Sequence, residues 1–145
     1  MTTLNLAIGN FNGEVDMNVE TANFGMSSSI LEPGSHLISY PKITFDKKER
    51  VPIRRLDDLA VNRSLYNVLV VDVQGYELEV FKGAVETLKG IDVIFTEVNT
   101  GEVYKGCAKL PELDAFLGKG GFRRHHCHVY KGLDYGDAIY IRDGR

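Results

Sequence analysis

The feature that most constrains this fold is a run of branched apolar residues in the middle of the chain. Residues Val68 to Val71 read V-L-V-V, without the alternation of polar and apolar positions that a half-buried strand shows. Such runs are typical of strands buried on both faces of a parallel sheet. We therefore predict a central parallel strand here, and with it an α/β fold.

An acid and a glycine follow this run. Asp72 stands at the carboxyl end of the predicted strand, and Gly75 permits a tight turn before the next element. Ligands of open α/β sheets gather outside the carboxyl ends of the strands. Asp72 is therefore a candidate site residue, and the alternative is that it only caps the turn.

Composition narrows the class of protein. The chain has 145 residues, of which 43% are hydrophobic and 26% charged, so we expect one domain with one core. A net charge of -3 gives no basic surface, and we expect no nucleic-acid partner. No apolar run reaches the roughly 20 residues of a membrane span, and the first residues do not have the pattern of a signal peptide. Two cysteines are too few for a disulfide framework. We expect a cytoplasmic protein that does not bind membranes.

Strands and helices are predicted to alternate through the middle of the chain. This order favours right-handed βαβ crossovers and a mainly parallel sheet that ends in an antiparallel hairpin. Residues 23–41 show no sustained period and predict a surface loop, and Pro52 marks residues 50–54 as an edge strand. The remaining predicted strands span residues 4–8, 15–19, 92–98, 122–130 and 137–142, and the predicted helices span residues 56–60 and 76–89 and a segment from Pro111.

A second acid, Glu97, lies near the carboxyl end of the predicted strand 92–98. Because parallel strands end at the same edge of a sheet, we expect Asp72 and Glu97 to lie close together. The alternative for Glu97 is an acid at a strand end that faces solvent.

The motif V-V-D-V-Q-G-Y-E-L-E-V-F-K-G-A resembles the FkbM family of S-adenosylmethionine-dependent methyltransferases. The hallmark of that family is a strand ending in D-V-E-G, followed by an E-x-x-x-L-x-G-A helix. Here Gln74 replaces the usual Glu, and Phe81 replaces the usual Leu. The resemblance extends over about residues 4–142 through ordered motifs that include L-A-I-G-N, paired serines, L-D-D-L, T-E-V, G-F and D-A-I-Y-I-R.

The resemblance implies O-methylation of a small-molecule acceptor, a hydroxyl of a sugar or secondary metabolite. It makes Asp72 the candidate base, and it makes Gln74 and Glu97 further catalytic candidates. Gln74 can hydrogen-bond a substrate hydroxyl but cannot take its proton.

Substrate contacts are expected from Ser28, Ser29 and Glu77. The serines could instead order their loop, and Glu77 could be a helix-start acid. Tyr104, Tyr130 and Tyr135 are candidates for the wall of an acceptor pocket or for covering the core.

The same resemblance implies a Rossmann-like class I methyltransferase sheet with S-adenosylmethionine as cofactor. Such folds hold the cofactor with a glycine-rich turn after the first strand and an acid after the second, and this sequence contains neither. We therefore expect residues 1–145 to be a partial domain that lacks the amino-terminal half of the fold. Ala7, Ile8 and Gly9 match the segment near the cofactor's adenine and would supply only part of that pocket.

The expected truncation has a consequence for association. In the strand order 3-2-1-4-5-7-6 of class I methyltransferases, the absent first strand lies beside the Val68–Val71 strand. An unpaired apolar strand is a template for association, so we expect a homodimer, an amino-terminal partner chain, or movement of residues 4–8 into the gap. Aggregation of the isolated chain is the fourth outcome. Two alternatives to an enzyme stay open: a non-catalytic binding or dimerisation module, and a fragment that needs such a partner to bind the cofactor.

His125, His126, Cys127 and His128 raise the question of a metal site. In a strand, His126 and His128 share one face while the other two point away, which leaves too few ligands for a closed tetrahedral site. We therefore expect exposed histidines and no metal.

Overall fold

The structure is a computed structural model that describes residues 3–144. Its strands form two sheets, with the orders β1-β3-β2 and β4-β5-β7-β6. The strands are β1 (Ala7–Ile8), β2 (Gly13–Val19), β3 (Lys47–Arg54), β4 (Val68–Val71), β5 (Val93–Asn99), β6 (Phe122–Val129) and β7 (Tyr135–Arg142), and the helices are α1 (His36–Ser39), α2 (Glu77–Lys82), α3 (Val85–Leu88) and α4 (Leu110–Lys119).

Parallel pairing is confined to two pairs of strands among the described residues. β4 pairs with β5 and β1 with β3 in parallel, whereas β2–β3, β5–β7 and β6–β7 are antiparallel. The predicted antiparallel hairpin at the carboxyl end is therefore confirmed. The prediction of one mainly parallel sheet is wrong, because β2 folds back along residues 47–53 of β3 in a separate sheet.

The core lies on one face of the four-stranded sheet, where the side chains of α2, α3 and α4 pack. Val71 is buried in this core, but Val68 and Val70 point to the opposite face and are 52% and 66% exposed. The prediction that this strand is buried on both faces is therefore wrong. Its uncovered face continues onto Phe95, which pairs with Val70 and is also exposed.

β4 lies at the edge of its sheet, with β5 as its neighbour. This agrees with the expectation that the Val68–Val71 strand lacks a partner on one side. Ala7 and Ile8 pair with β3 rather than with β4, so the expected movement of residues 4–8 into the gap does not occur in this structure.

The predicted helix over residues 76–89 is two helices, α2 and α3, separated at Gly83 and Ala84. The backbone after β1 passes close to this break, because a Cβ atom on Gly83 would lie 1.9 Å from the carbonyl oxygen of Gly9. Gly83 is thus needed for the close approach of two backbones.

The predicted helix over residues 56–60 is a single 3-10 turn, Leu56–Asp58. Within it, Asp57 caps α3: Oδ2 accepts from the backbone N–H of Glu86 at 2.9 Å, and Oδ1 accepts from the N–H and hydroxyl of Thr87 at 2.8 and 2.7 Å. Burial opposes ionisation of Asp57, but these donors outweigh it and lower the pKa of its carboxyl. Asp57 therefore stabilises a helix distant in sequence.

β3 is longer than the predicted strand 50–54 and lies in the middle of its sheet, so its prediction as an edge strand is wrong. However, β1 contacts β3 only at Ile53 and Arg54. One side of β3 is therefore open at Pro52, which explains how a residue without an N–H is tolerated.

No helix within residues 3–144 combines the length and apolar character needed to cross a bilayer.

Candidate functional site

A cavity of about 440 Å³ lies at the carboxyl ends of β4 and β5, beside residues 23–41. These residues were predicted to be a loop throughout, but they contain the short helix α1. The parallel pairing of these two strands brings the acids after them together, and the loop adds polar and aromatic groups. The lining residues are Asn23, Met26, Ser27, His36, Tyr40, Ile43, Asp72, Gln74, Glu97, Val103, Tyr130, Tyr135 and Asp137.

Asp72 and Glu97 lie at the same edge of the sheet, which confirms the prediction made from the two strand ends. Val71 pairs with Thr96, so Asp72 follows β4 beside Glu97 on β5. One carboxylate oxygen from each lies within 4.8 Å of the other and of one from Glu77. Asp72 is exposed, whereas Glu97 is only 9% exposed, so the alternative of a solvent-facing Glu97 is wrong.

Gln74 sits in a tight turn between β4 and α2. Its φ is 54° and that of Gly75 is 95°, so two consecutive residues adopt left-handed backbone conformations. The Gln74 side chain donates from Nε2 to Oδ1 of Asp72 at 2.6 Å, and its Oε1 accepts from the hydroxyl of Tyr104 at 2.9 Å. Both ends of the amide are thus bound within the site.

Glu77 is the first residue of α2, which agrees with its alternative reading as a helix-start acid, and it is buried beneath this turn. It accepts from the backbone N–H of Val73 at 3.2 Å and of Gly75 at 3.0 Å. Burial raises the pKa of Glu77 to about 7 against the effect of these donors. Burial, together with the negative charges of Glu77 and Asp72, raises the pKa of Glu97 to about 9.

The predicted substrate contacts Ser28, Ser29 and Glu77 do not line the cavity. Ser28 Oγ accepts from the N–H of Glu20, and Ser29 Oγ donates to the carbonyl of Gln74 at 2.7 Å. These bonds correspond to the alternative role considered for the serines, which is to order the loop.

His36 is the residue that sequence reasoning missed. It is 6% exposed and packs against the rings of Tyr40, Phe45 and Tyr104, with Nε2 3.2 Å from Oγ of Ser27. Burial lowers the pKa of its imidazole, and the nearby charge of Glu20 opposes this in part. The imidazole is therefore neutral at pH 7. The signal available in the sequence was its position in the long loop.

Aromatic side chains form one wall of the cavity. Tyr130 and Tyr135 line it as predicted, and Tyr40 joins them, with its hydroxyl 2.5 Å from that of Tyr135. Tyr104 is only 1% exposed and reaches the site through Gln74 instead.

Ala7, Ile8 and Gly9 do not line this cavity. Ala7 and Ile8 form β1, and the N–H of Gly9 donates to the carbonyl of Arg54 at 3.0 Å. Their role towards a cofactor stays a prediction.

The histidine-rich segment lies on β6, where a bulge falls between Arg124 and His126. His125, His126 and His128 are exposed. The side chains that lie close enough together to share a metal ion, within residues 3–144, are instead those of Asp72, Glu77 and Glu97.

These features define an α/β domain with an acid-lined cavity at the carboxyl ends of neighbouring parallel strands, where such folds bind ligands. The family described as the methyltransferase FkbM domain matches residues 1–124. The chain therefore belongs to the FkbM methyltransferase domain family.

A curated relative and a solved structure illustrate what the chain is similar to. The 2-O-methyltransferase NoeI of Sinorhizobium fredii is 34% identical over 113 residues, which cover 73% of this chain and 46% of NoeI. The chain thus spans about half the length of this curated relative. Among solved structures, the magnesium protoporphyrin IX methyltransferase of Synechocystis PCC 6803, solved with bound SAM, aligns with 75% of this chain and 50% of its own, with 10% identity and a TM-score of 0.42.

Proposed function

We propose that this chain takes part in methyl transfer from S-adenosylmethionine to a hydroxyl group of a small molecule, such as a sugar or a secondary metabolite. The observation that carries the proposal is that the motif residues Asp72, Gln74 and Glu97 line one cavity. Family membership and the name of the relative NoeI, a 2-O-methyltransferase, support it. The strand order β4-β5-β7-β6 also corresponds to the carboxyl-terminal half of the class I order 3-2-1-4-5-7-6.

In this reaction S-adenosylmethionine supplies an electrophilic methyl group, whose bond to sulfur breaks as its bond to the acceptor oxygen forms, and S-adenosylhomocysteine leaves. The protein must position the acceptor and remove its hydroxyl proton. Asp72 suits the second task, because its carboxylate is exposed at the cavity. His36 is the alternative acceptor of the proton, since its imidazole is neutral at pH 7 and lines the same cavity.

The cavity fits an acceptor of small-molecule size. Its volume of about 440 Å³ falls in the range of ligand pockets. Tyr40, Tyr130 and Tyr135 offer ring faces on which a sugar or an aromatic acceptor can stack, together with hydroxyls that can hydrogen-bond it. We propose that these side chains hold the acceptor with its hydroxyl towards Asp72.

This function is tested by measuring how much S-adenosylhomocysteine the full chain forms with each of a panel of hydroxylated sugars and phenols. If Asp72 is the base, Asp72→Asn lowers kcat by about 10²- to 10⁴-fold, and His36→Gln has a smaller effect. Glu86→Gln is the matched control, because Glu86 is a surface acid paired with Lys89 outside the cavity.

Product formation that is unchanged in both Asp72→Asn and His36→Gln would exclude the assigned base. Absence of product with every acceptor, together with absence of S-adenosylmethionine binding in calorimetry, would contradict methyl transfer by this chain.

A second candidate function is a non-catalytic association module. The observation that favours it is the open edge of β4 and its exposed Val68 and Val70. Backbone groups of an edge strand pair readily with another strand, and the valines add an apolar surface. We propose a second copy of this chain as the partner.

A further inference from the structure

Four acidic side chains converge where β4, β5 and β7 meet the cavity. Asp72 follows β4, Glu77 begins α2, and Glu97 on β5 lies directly opposite Asp137 on β7. Like charges that face each other across a strand pair are destabilising. None of these four acids takes part in the ion pairs found among the described residues. The cluster therefore has no protein cation beside it to compensate the charge of any carboxylate that is ionised.

The spacing of three of these carboxylates matches the coordination sphere of a metal ion. Oxygens of Asp72, Glu77 and Glu97 all lie within 4.8 Å of one another. Two oxygens on opposite sides of an ion, each about 2.4 Å from it, are about 4.8 Å apart, and oxygens at smaller angles are closer. One ion can therefore contact all three side chains with little movement.

Glu97 provides an independent indication of a bound ligand. It is 9% exposed, its Oε2 is buried, and that oxygen has no hydrogen-bond partner. A buried carboxylate oxygen without a donor is costly unless a cation or a proton compensates it. The carboxylate group of Glu97 lies next to those of Asp72 and Glu77, so the uncompensated group is directed into the cluster.

We propose that Asp72, Glu77 and Glu97 bind one divalent cation that prefers oxygen ligands, namely Mg²⁺, Mn²⁺ or Ca²⁺. Three carboxylates without nitrogen or sulfur ligands select this class of ion. The backbone donors at Val73 and Gly75 hold the Glu77 carboxylate in place, as outer hydrogen bonds do in metal sites. Asp72 and Glu97 also line the cavity, so positions of the ion not filled by protein face water or a ligand.

This site differs from the expectation of no metal, which was based on the histidine-rich segment. It does not depend on the proposed methyl transfer, because binding can be measured without a methyl donor or acceptor. The competing explanation is that protons alone neutralise the cluster, in which case Glu97 stays protonated at neutral pH and no ion binds.

Calorimetry and thermal unfolding of the full chain test the proposal. The chain is first dialysed against a chelator and then titrated at pH 7.5 with Mg²⁺, Mn²⁺ or Ca²⁺ in turn. We expect one ion per chain for at least one of these metals, and a rise in Tm as the ion saturates the site. Glu97→Gln and Asp72→Asn are each expected to weaken binding by about tenfold or more, by removal of a charged ligand. Glu86→Gln removes a surface charge and is expected to bind as the parent chain does.

In two variants, a loss of metal binding can be distinguished from a loss of the fold. Glu97→Gln is nearly isosteric and Oε2 of Glu97 has no hydrogen-bond partner to lose, so its Tm without metal is expected to equal or exceed that of the parent chain. Asp72 is exposed, so Asp72→Asn is expected to fold normally. Absence of saturable binding for all three metals, or equal affinity in Glu97→Gln, Asp72→Asn and the parent chain, would overturn the site.

Discussion

The hydroxyl of Tyr104 lies 2.9 Å from Oε1 of Gln74, while Nε2 of the same amide donates to Asp72 at 2.6 Å. Gln74 therefore connects a buried phenol to the exposed acid of the site. The family usually has Glu at this position, and a carboxylate there would place two negative groups side by side.

We predict that Gln74→Glu destabilises the metal-free chain by about 1 kcal/mol, because it replaces the donor to Asp72 with a second charge. Urea unfolding at pH 7.5 measures the difference. Gln74→Met removes both hydrogen bonds of the amide without adding a charge, whereas Gln74→Glu keeps an acceptor for the Tyr104 hydroxyl. A larger loss in Gln74→Glu than in Gln74→Met would therefore come from repulsion between the two carboxylates. A Gln74→Glu variant as stable as the parent chain would contradict this account.

Much of the site could be predicted from the sequence because it depends on neighbouring strands. The apolar run of β4 and the apolar strand β5 identify two parallel partners, and their ends place Asp72 beside Glu97. Only the edge position of β4, and not the exposure of Val68 and Val70, followed from the family resemblance. A continuous apolar run does not reveal whether an element covers its second face.

The features that could not be predicted depend on contacts between distant segments. Gly83, directly after α2, packs against the backbone of Gly9, and neither glycine indicates this locally. Glu77 has the pattern of an exposed helix-start acid, yet the turn of Gly75 encloses it. His36 begins the short helix α1 within a segment whose sequence has no periodicity, so only its place in that segment indicated a role in the cavity.

The contact of Gly83 with Gly9 predicts a large effect of a small substitution. Gly83→Ala would place Cβ 1.9 Å from the Gly9 carbonyl oxygen, so β1 must move away from α2. We expect a loss of about 1 to 3 kcal/mol in the free energy of unfolding, the range of overpacked positions.

Gly90→Ala is the matched control for Gly83→Ala, because its Cβ would lie 3.8 Å from the Thr87 carbonyl oxygen, an ordinary contact. Chemical denaturation of the two variants measures the difference. A Gly83→Ala variant as stable as Gly90→Ala would show that the two backbones are not in close contact.

Asp57 predicts a pH-dependent contribution to stability. Its carboxylate binds the first turn of α3, so Asp57→Ala is expected to cost about 1 to 2 kcal/mol at pH 7. The pKa of Asp57 is lowered from 3.8 in the folded chain, so this contribution is complete above about pH 4 and is lost as the pH falls through the lowered pKa.

Unfolding measured between pH 7 and pH 2.5 should therefore show the parent chain and Asp57→Ala converging at low pH. Asp58→Ala serves as the control, because the Asp58 carboxylate contacts the exposed Asn12 amide at 2.7 Å and Arg55 at 4.0 Å and does not bind α3 in the described hydrogen bonds. Its effect is expected to be about 0.5 kcal/mol or less. A constant difference between the parent chain and Asp57→Ala at every pH would contradict the role of the Asp57 charge.

The uncovered face of β4 predicts self-association. Val70 is 66% exposed on an edge strand whose outer backbone groups have no strand neighbour in the described sheet, and such an edge pairs readily with a second copy. Sedimentation of the full chain over a range of concentrations is expected to show association, and Val70→Lys to shift it towards the monomer, because a buried ammonium group opposes pairing. Val85→Lys introduces the same charge at an exposed position on α3 and is expected to associate as the parent chain does. A parent chain that stays monomeric, or a Val70→Lys variant that associates equally well, would show that β4 is not the contact surface.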